Sequence, residues 1–199
     1  MKVIGIRGNY QAGEGRTAEN PACQSVYIIG DSSLLFNRRP FFVPDFAESF
    51  VASPTIVARV SRLGKDIARK FAPRYYDALT VGMTVKAVGM QGDFADGGPG
   101  ALAETFDNSA ILGDFIPVEQ VDMPARYEVQ VDGATAGAYS TRNLVAGIDQ
   151  LVESLSRYYT LKTGDLLYAS TPEPCLTMRI NSVLTATLNG TEVLHMRVK

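Results

Sequence analysis

The sequence predicts a mixed β chain with small helices packed on it, an α+β architecture folded as one domain over residues 1–199. Three observations carry this. Several short stretches of apolar and β-branched residues read as strands. Two Asx-Gly dipeptides, Asp132-Gly133 and Asn189-Gly190, each join two such stretches, which is the strongest short-range hairpin signal. Only one segment, residues 144–159, carries a good helical periodicity.

In chain order, a strand at residues 2–6 leads into a glycine-bearing loop at 8–15, and a strand pair follows at 25–29 and 33–37. Residues 50–63 alternate in part and are rich in Val and Ile, so they read as strand despite Pro54. A residue without an N–H cannot complete a ladder, and an edge or a bulge is expected there. Residues 66–76 form a short helix or turn region broken by Pro73, and another strand spans 79–88. The composition of residues 92–100 is that of a flexible loop. A hairpin covers 127–131 and 134–139 around Asp132-Gly133. In the helix, Leu144, Ile148, Leu151, Val152, Leu155 and Tyr159 share one face, with Asn143 or Thr141 as cap. Residues 187–198 close the chain as two strands around Asn189-Gly190.

Composition narrows the chemistry. With 46% hydrophobic and 20% charged residues and a net charge of −2, the chain has an ordinary globular profile without the basic footprint of a nucleic-acid binder. Arg59, Arg62, Lys65, Arg69 and Lys70 fall close together and read as a solvated face. No apolar run reaches membrane-spanning length, and the first seven residues are too brief for a secretory signal. Cys23 and Cys175 have no metal-ligand spacing and are expected to be free thiols in a reducing, cytoplasmic setting. His195, the single histidine, lies on a terminal strand and reads as a strand-surface residue. That count alone removes most Ser-His, Cys-His and His-metal chemistries.

Four stretches carry a resemblance: residues 39–46 (RPFFVPDF), 74–82 (RYYDALTVG), 106–113 (FDNSAILG) and 160–172 (TLKTGDLLYASTP). They resemble the fumarylacetoacetate hydrolase family, and the similarity covers nearly the whole chain. It implies a mixed β-sandwich roll with a site in a cleft between sheet and loops, and a homodimer. It also implies hydrolase or isomerase chemistry on acylpyruvate-like 2-keto acids, with Mg²⁺ or Mn²⁺ held by three carboxylates. At the positions matching those carboxylates the chain carries Ser53, Thr55 and Thr84. Hydroxyls can touch a divalent cation but do not neutralise its charge, so no metal or other cofactor is expected here. The family's catalytic histidine and substrate lysine correspond to Gly13 and Glu104, and its Arg-Asp pair to Val88-Gly89. Tyr10, Lys86, Gln91, Glu104 and Thr171 are the remnant of a substrate-binding set.

Lost metal, lost lysine and gained Glu104 together imply a pocket that repels anions. Lys86 shares a strand face with Thr84, so its ammonium can fill the vacated metal place and pair with Glu104; a place on the cleft rim is the other reading. Cys175 has no histidine near it in sequence and is expected to be inert. Glu14, Asp93, Asp96 and Asp107 have no spacing that marks a metal site, and Asp107 belongs to the F-D-x-S turn. The expected function is therefore that of a non-catalytic relative, binding a small molecule or pairing with another chain. The alternatives are an enzyme acting on acylpyruvate-like acids and a structural partner of an active relative.

Overall fold

The computed structural model of the chain describes residues 1–11, 25–92, 94, 98–169 and 176–199. It contains thirteen strands among these: β1 (Val3–Arg7), β2 (Ser25–Ile29), β3 (Leu34–Phe36), β4 (Ala47–Val60), β5 (Tyr76–Met90), β6 (Ala110–Leu112), β7 (Ile116–Pro117), β8 (Arg126–Val131), β9 (Ala134–Ser140), β10 (Leu166–Tyr168), β11 (Leu176–Thr177), β12 (Val183–Leu188) and β13 (Thr191–Arg197). Two α-helices, α1 (Leu102–Thr105) and α2 (Ile148–Tyr158), complete the set with four 3-10 turns.

Nine strands form one sheet in the order β2-β1-β10-β4-β5-β6-β3, with β11 paired to β4 and β7 to β5. The sequence reading expects β2 and β3 to pair with each other, and they do not. Each instead pairs inward from opposite ends of the sheet, β2 with β1 and β3 with β6. Only the Asp31–Ser33 3-10 turn and Gly30 separate these two end strands, so the sheet has to curl until its ends approach. Ile29 and Leu34, one from each end, meet Val3, Val57, Ala110, Leu112, Leu166 and Tyr168 in a small core inside the curl. The opposite face packs on the four-stranded sheet β13-β12-β8-β9 and on α2, burying the larger core that includes Ile56, Met83, Leu151 and Leu194. Mixed β with small helices is the architecture observed.

β4 and β5 are the longest strands and form the spine, paired from Ala47↔Met90 to Val60↔Tyr76. Pro54 is buried in the middle of this ladder, opposite Met83. Among the described residues it nonetheless lies at a local edge. On the far side of β4, β11 pairs no further than Ala52 and β10 begins at Val57. Phe50 and Ile56 give their carbonyls to Met178 and Ala169 on that side. Pro54 is in step with them, so its missing N–H falls in the gap between β10 and β11.

Helix α2 begins at Ile148, four residues later than its apolar spacing predicts, and its cap is neither Asn143 nor Thr141. Leu144 bridges to Tyr10, and the Val145 N–H bonds the Asn9 carbonyl, so this stretch serves as a docking segment ahead of the helix. Gly147 caps the helix, and its N–H is taken by the Gln150 side chain at 3.0 Å. Residues 66–76 hold the 3-10 turn Arg69–Arg74 with Pro73 inside it. Both expected hairpins are present, with Asp132, Gly133, Asn189 and Gly190 all at positive φ.

Candidate functional site

Register brings the three hydroxyl positions together. Ser53 on β4 lies directly opposite Thr84 on β5, and Thr55 lies opposite Gly82. Alternation puts Ser53, Thr55 and Val57 on one face, and Val57 belongs to the core inside the curl. The hydroxyls therefore face the concave interior. They are only 6%, 1% and 6% exposed for Ser53, Thr55 and Thr84.

What reaches this place is the side chain of Tyr27. β2 sets Tyr27 against Gly5 on β1, and the ring lies flat enough over that glycine that a Cβ there would be 2.3 Å from the ring's Cζ. The Tyr27 hydroxyl is near enough to Thr84 and Arg7 for both to lower its pKa. The Arg7 guanidinium stacks on the same ring, 4.5 Å from its centroid. Its Nε donates to Glu104 Oε2 at 3.0 Å, and its Nη2 donates to the same oxygen. Lys86 reaches the other oxygen of Glu104 at 3.8 Å, with its side chain 58% exposed against 14% for Glu104. Burial raises the Tyr27 hydroxyl above the ordinary tyrosine pKa, and Glu104 adds to that; Arg7 and Thr84 pull the other way.

Lys86 and Glu104 thus pair as the sequence suggests, but Lys86 does so from the rim, and the place beside Thr84 holds the Tyr27 hydroxyl. The expected repulsion of anions also changes. Among the described residues, Arg7 and Lys86 on Glu104 make two positive charges and one negative, one net positive charge in the cluster. Arg7 and Tyr27 are the residues that sequence reasoning missed. The available signal was Gly5 in mid-strand, where a glycine marks the close approach of another group.

The remaining remnant positions do not converge on this cluster. The Tyr10 hydroxyl accepts from the Ser140 N–H at 3.1 Å and the Asn143 side chain at 3.3 Å, and its ring meets Tyr139 edge-on. Gln91 is exposed, with its N–H on the Phe46 carbonyl. Asp107 is exposed in a turn where Asn108 takes positive φ and the Ser109 N–H bonds the Phe106 carbonyl. His195 is exposed on β13 with Glu192 3.6 Å from its Nδ1. Gly13, Glu14, Cys23, Asp93, Asp96, Thr171 and Cys175 lie outside the described residues. A cavity of about 400 Å³ on the small sheet, with Arg126, Glu128, Tyr139 and Asn143 in its wall, includes none of the remnant residues.

The family's divalent metal does not fit the described residues of this site. Three buried hydroxyls would be its donors, the adjacent charged group is a guanidinium, and the nearby carboxylate of Glu104 is already held by Arg7. Among the described residues no group of three or more His, Cys, Asp or Glu could hold a metal ion.

The rest of the family frame is structural. Phe41, Phe46, Phe50 and Phe106 pack edge-to-face at centroid distances of 5.3 to 6.1 Å, tying the RPFFVPDF and FDNSAILG stretches together. Tyr168 crosses Gly82 and donates to the Ile111 carbonyl at 2.9 Å. Asp165 is fully buried and accepts from the N–H groups of Lys2 and Lys162, at 2.9 and 2.8 Å, while the Lys2 ammonium pairs with it.

Known proteins share this frame. A mitochondrial oxaloacetate tautomerase of Arabidopsis thaliana is 25% identical over 195 residues, covering 95% of this chain and 86% of that protein. Oxaloacetate tautomerase YcgM of Escherichia coli (strain K12) is 27% identical over 173 residues, covering 83% and 77%. Among solved structures, the fumarylpyruvate hydrolase of Pseudomonas aeruginosa in complex with Mn²⁺ and pyruvate superposes with a TM-score of 0.85 over all of this chain and 89% of that one. At 23% identity that likeness is one of fold. The model of the fumarylacetoacetate (FAA) hydrolase C-terminal family matches residues 2–199, and this chain belongs to that family.

Proposed function

We propose that this chain does not carry out the metal-dependent reaction of its family and acts instead as a binding protein, a cytoplasmic homodimer that uses the inherited roll to hold a small molecule or a partner chain. The supporting observation is the donor set: hydroxyls at Ser53, Thr55 and Thr84, with Tyr27 and Arg7 against them. A divalent ion needs carboxylate or phosphate oxygens to offset its charge, and this pocket offers it a guanidinium. Function follows the site and not the fold. One net positive charge in the cluster favours a ligand with an anionic group over a neutral or cationic one.

The second reading is a hydrolase or isomerase acting on acylpyruvate-like 2-keto acids. It is favoured by the names of the relatives, oxaloacetate tautomerases among them. The two readings separate in one experiment: thermal unfolding followed across a titration of MgCl₂ or MnCl₂, with oxaloacetate tautomerisation and acylpyruvate hydrolysis assayed in parallel. The expected outcome is no saturable rise in Tm and no rate above the uncatalysed one. A Tm that climbs and saturates at micromolar metal, together with a metal-dependent rate, establishes the enzyme reading instead.

A further inference from the structure

We propose that Arg7 is the specificity-determining residue for cations in this site: its guanidinium, clamped by Glu104 and Tyr27, is the resident positive charge and keeps divalent ions out whatever residues 53, 55 and 84 are. The clamp has two parts. The Tyr27 ring lies under the guanidinium, and one oxygen of Glu104 takes both its Nε and Nη2. Each partner is itself fixed by the fold. Glu104 sits on α1 between the buried residues Ala103 and Phe106, and Tyr27 has its ring pinned over Gly5, which has no Cβ to collide with it.

Thr84 is the contact between this clamp and the hydroxyl trio. It lies opposite Ser53 and two residues from Lys86, which reaches Glu104 of the clamp, and it is near enough to the Tyr27 hydroxyl to lower its pKa. A carboxylate placed at position 84 therefore meets the Tyr27–Arg7 pair before it meets any ion in solution. It would be neutralised by the guanidinium in a charge-assisted bond, and a dication would then have to displace a fixed like charge. Restoring carboxylates is not sufficient to restore metal binding; Arg7 must also lose its charge. The inference rests on the reading that the native chain holds no divalent metal here, and it goes further in naming the residue responsible.

The test compares two folded variants with Mn²⁺ alone as the probe, its binding read from the free-ion electron paramagnetic resonance signal. One is Ser53→Glu/Thr55→Glu/Thr84→Asp with Arg7 intact, and the other adds Arg7→Gln. The second is expected to bind Mn²⁺ at least about tenfold more tightly, the factor equivalent to one modest electrostatic increment. Equal affinity in the two, or binding in neither, overturns the role of Arg7. Tight Mn²⁺ binding by the native chain is a different result, which would remove the non-catalytic reading itself. Where the triple replacement does not fold, Thr84→Asp with and without Arg7→Gln gives the same comparison through Tm. Mn²⁺ is expected to raise Tm only in the variant lacking Arg7; an equal response in both, or in neither, overturns the proposal.

Discussion

Glu104 is shared by two cations, and geometry decides which of them matters. Arg7 donates twice to one oxygen and is stacked on Tyr27, whereas Lys86 stands 3.8 Å from the other with most of its side chain in solvent. An exposed, loosely held pair contributes little, because screening and side-chain entropy offset the Coulomb gain. Truncation of Lys86→Ala is therefore expected to lower unfolding free energy by less than about 0.5 kcal/mol. Glu104→Ala removes the one carboxylate that, among the described residues, pairs with the Arg7 guanidinium, and leaves its donors short of an acceptor. Since Arg7 remains 40% exposed on its side chain, water recovers part of the loss, and about 1–2 kcal/mol is expected. Urea unfolding of the two variants checks this. A Lys86→Ala effect equal to or larger than that of Glu104→Ala would show that the ranking is wrong. None of this ranking was visible in sequence: Lys86 and Glu104 could be placed from the family frame, but Arg7 and Tyr27 converge only because β1 pairs with β2.

At the level of elements, the parts set by local chemistry were legible and the parts set by distant docking were not. Asn189-Gly190 demands positive φ at both residues, so the last hairpin could be read directly from the chain, and Asp132-Gly133 likewise. The start of α2 could not. Leu144 has the right spacing for the helix face, yet Leu144 and Val145 are drawn out of the helix by a bridge and a hydrogen bond to the Asn9-Tyr10 segment, more than a hundred residues earlier. The residue responsible is Asn9, fully buried, whose side chain donates to the carbonyls of Ala146 and Ala169 at 2.9 and 2.8 Å and accepts from the Ala146 N–H at 2.7 Å. One amide thereby joins the end of β1, the approach to α2 and the exit of β10. Asn9→Leu keeps the volume but strands three backbone groups away from water, which is expected to cost about 2–4 kcal/mol. Loss of hydrogen-exchange protection at the Ala146 amide should accompany it. A variant with native stability and an unchanged exchange rate at Ala146 would refute the joining role.

The whole molecule encloses much of its tyrosine in two cores, and this sets how it responds to alkali. Tyr168 is fully buried inside the curl, Tyr127 lies in the larger core with no hydrogen-bond partner for its hydroxyl among the described residues, and Tyr76 bonds Asp149. Burial is the first cause in each case, and all three are held far above the ordinary value of 10.0; Asp149 adds to the rise at Tyr76, Tyr10 and Tyr139 at Tyr127, and Tyr27 at Tyr168. Below that ordinary value both the folded and unfolded chains keep these protons, and the contribution to stability is complete. As pH rises past about 10 the unfolded chain releases them while the folded chain does not, so the unfolded state binds fewer protons and stability falls with pH. Two measurements follow. Phenolate absorbance of the native protein should titrate with at least three of the nine tyrosines missing from the ordinary step, and those three should appear only on unfolding. Unfolding free energy in urea should be flat between about pH 8 and 9 and then decline, by up to about 1.4 kcal/mol per pH unit for each tyrosine concerned. A native protein whose nine tyrosines all ionise together near 10 would mean that the two cores are open to solvent, and the closed roll on which Tyr27 and Arg7 depend would go with them.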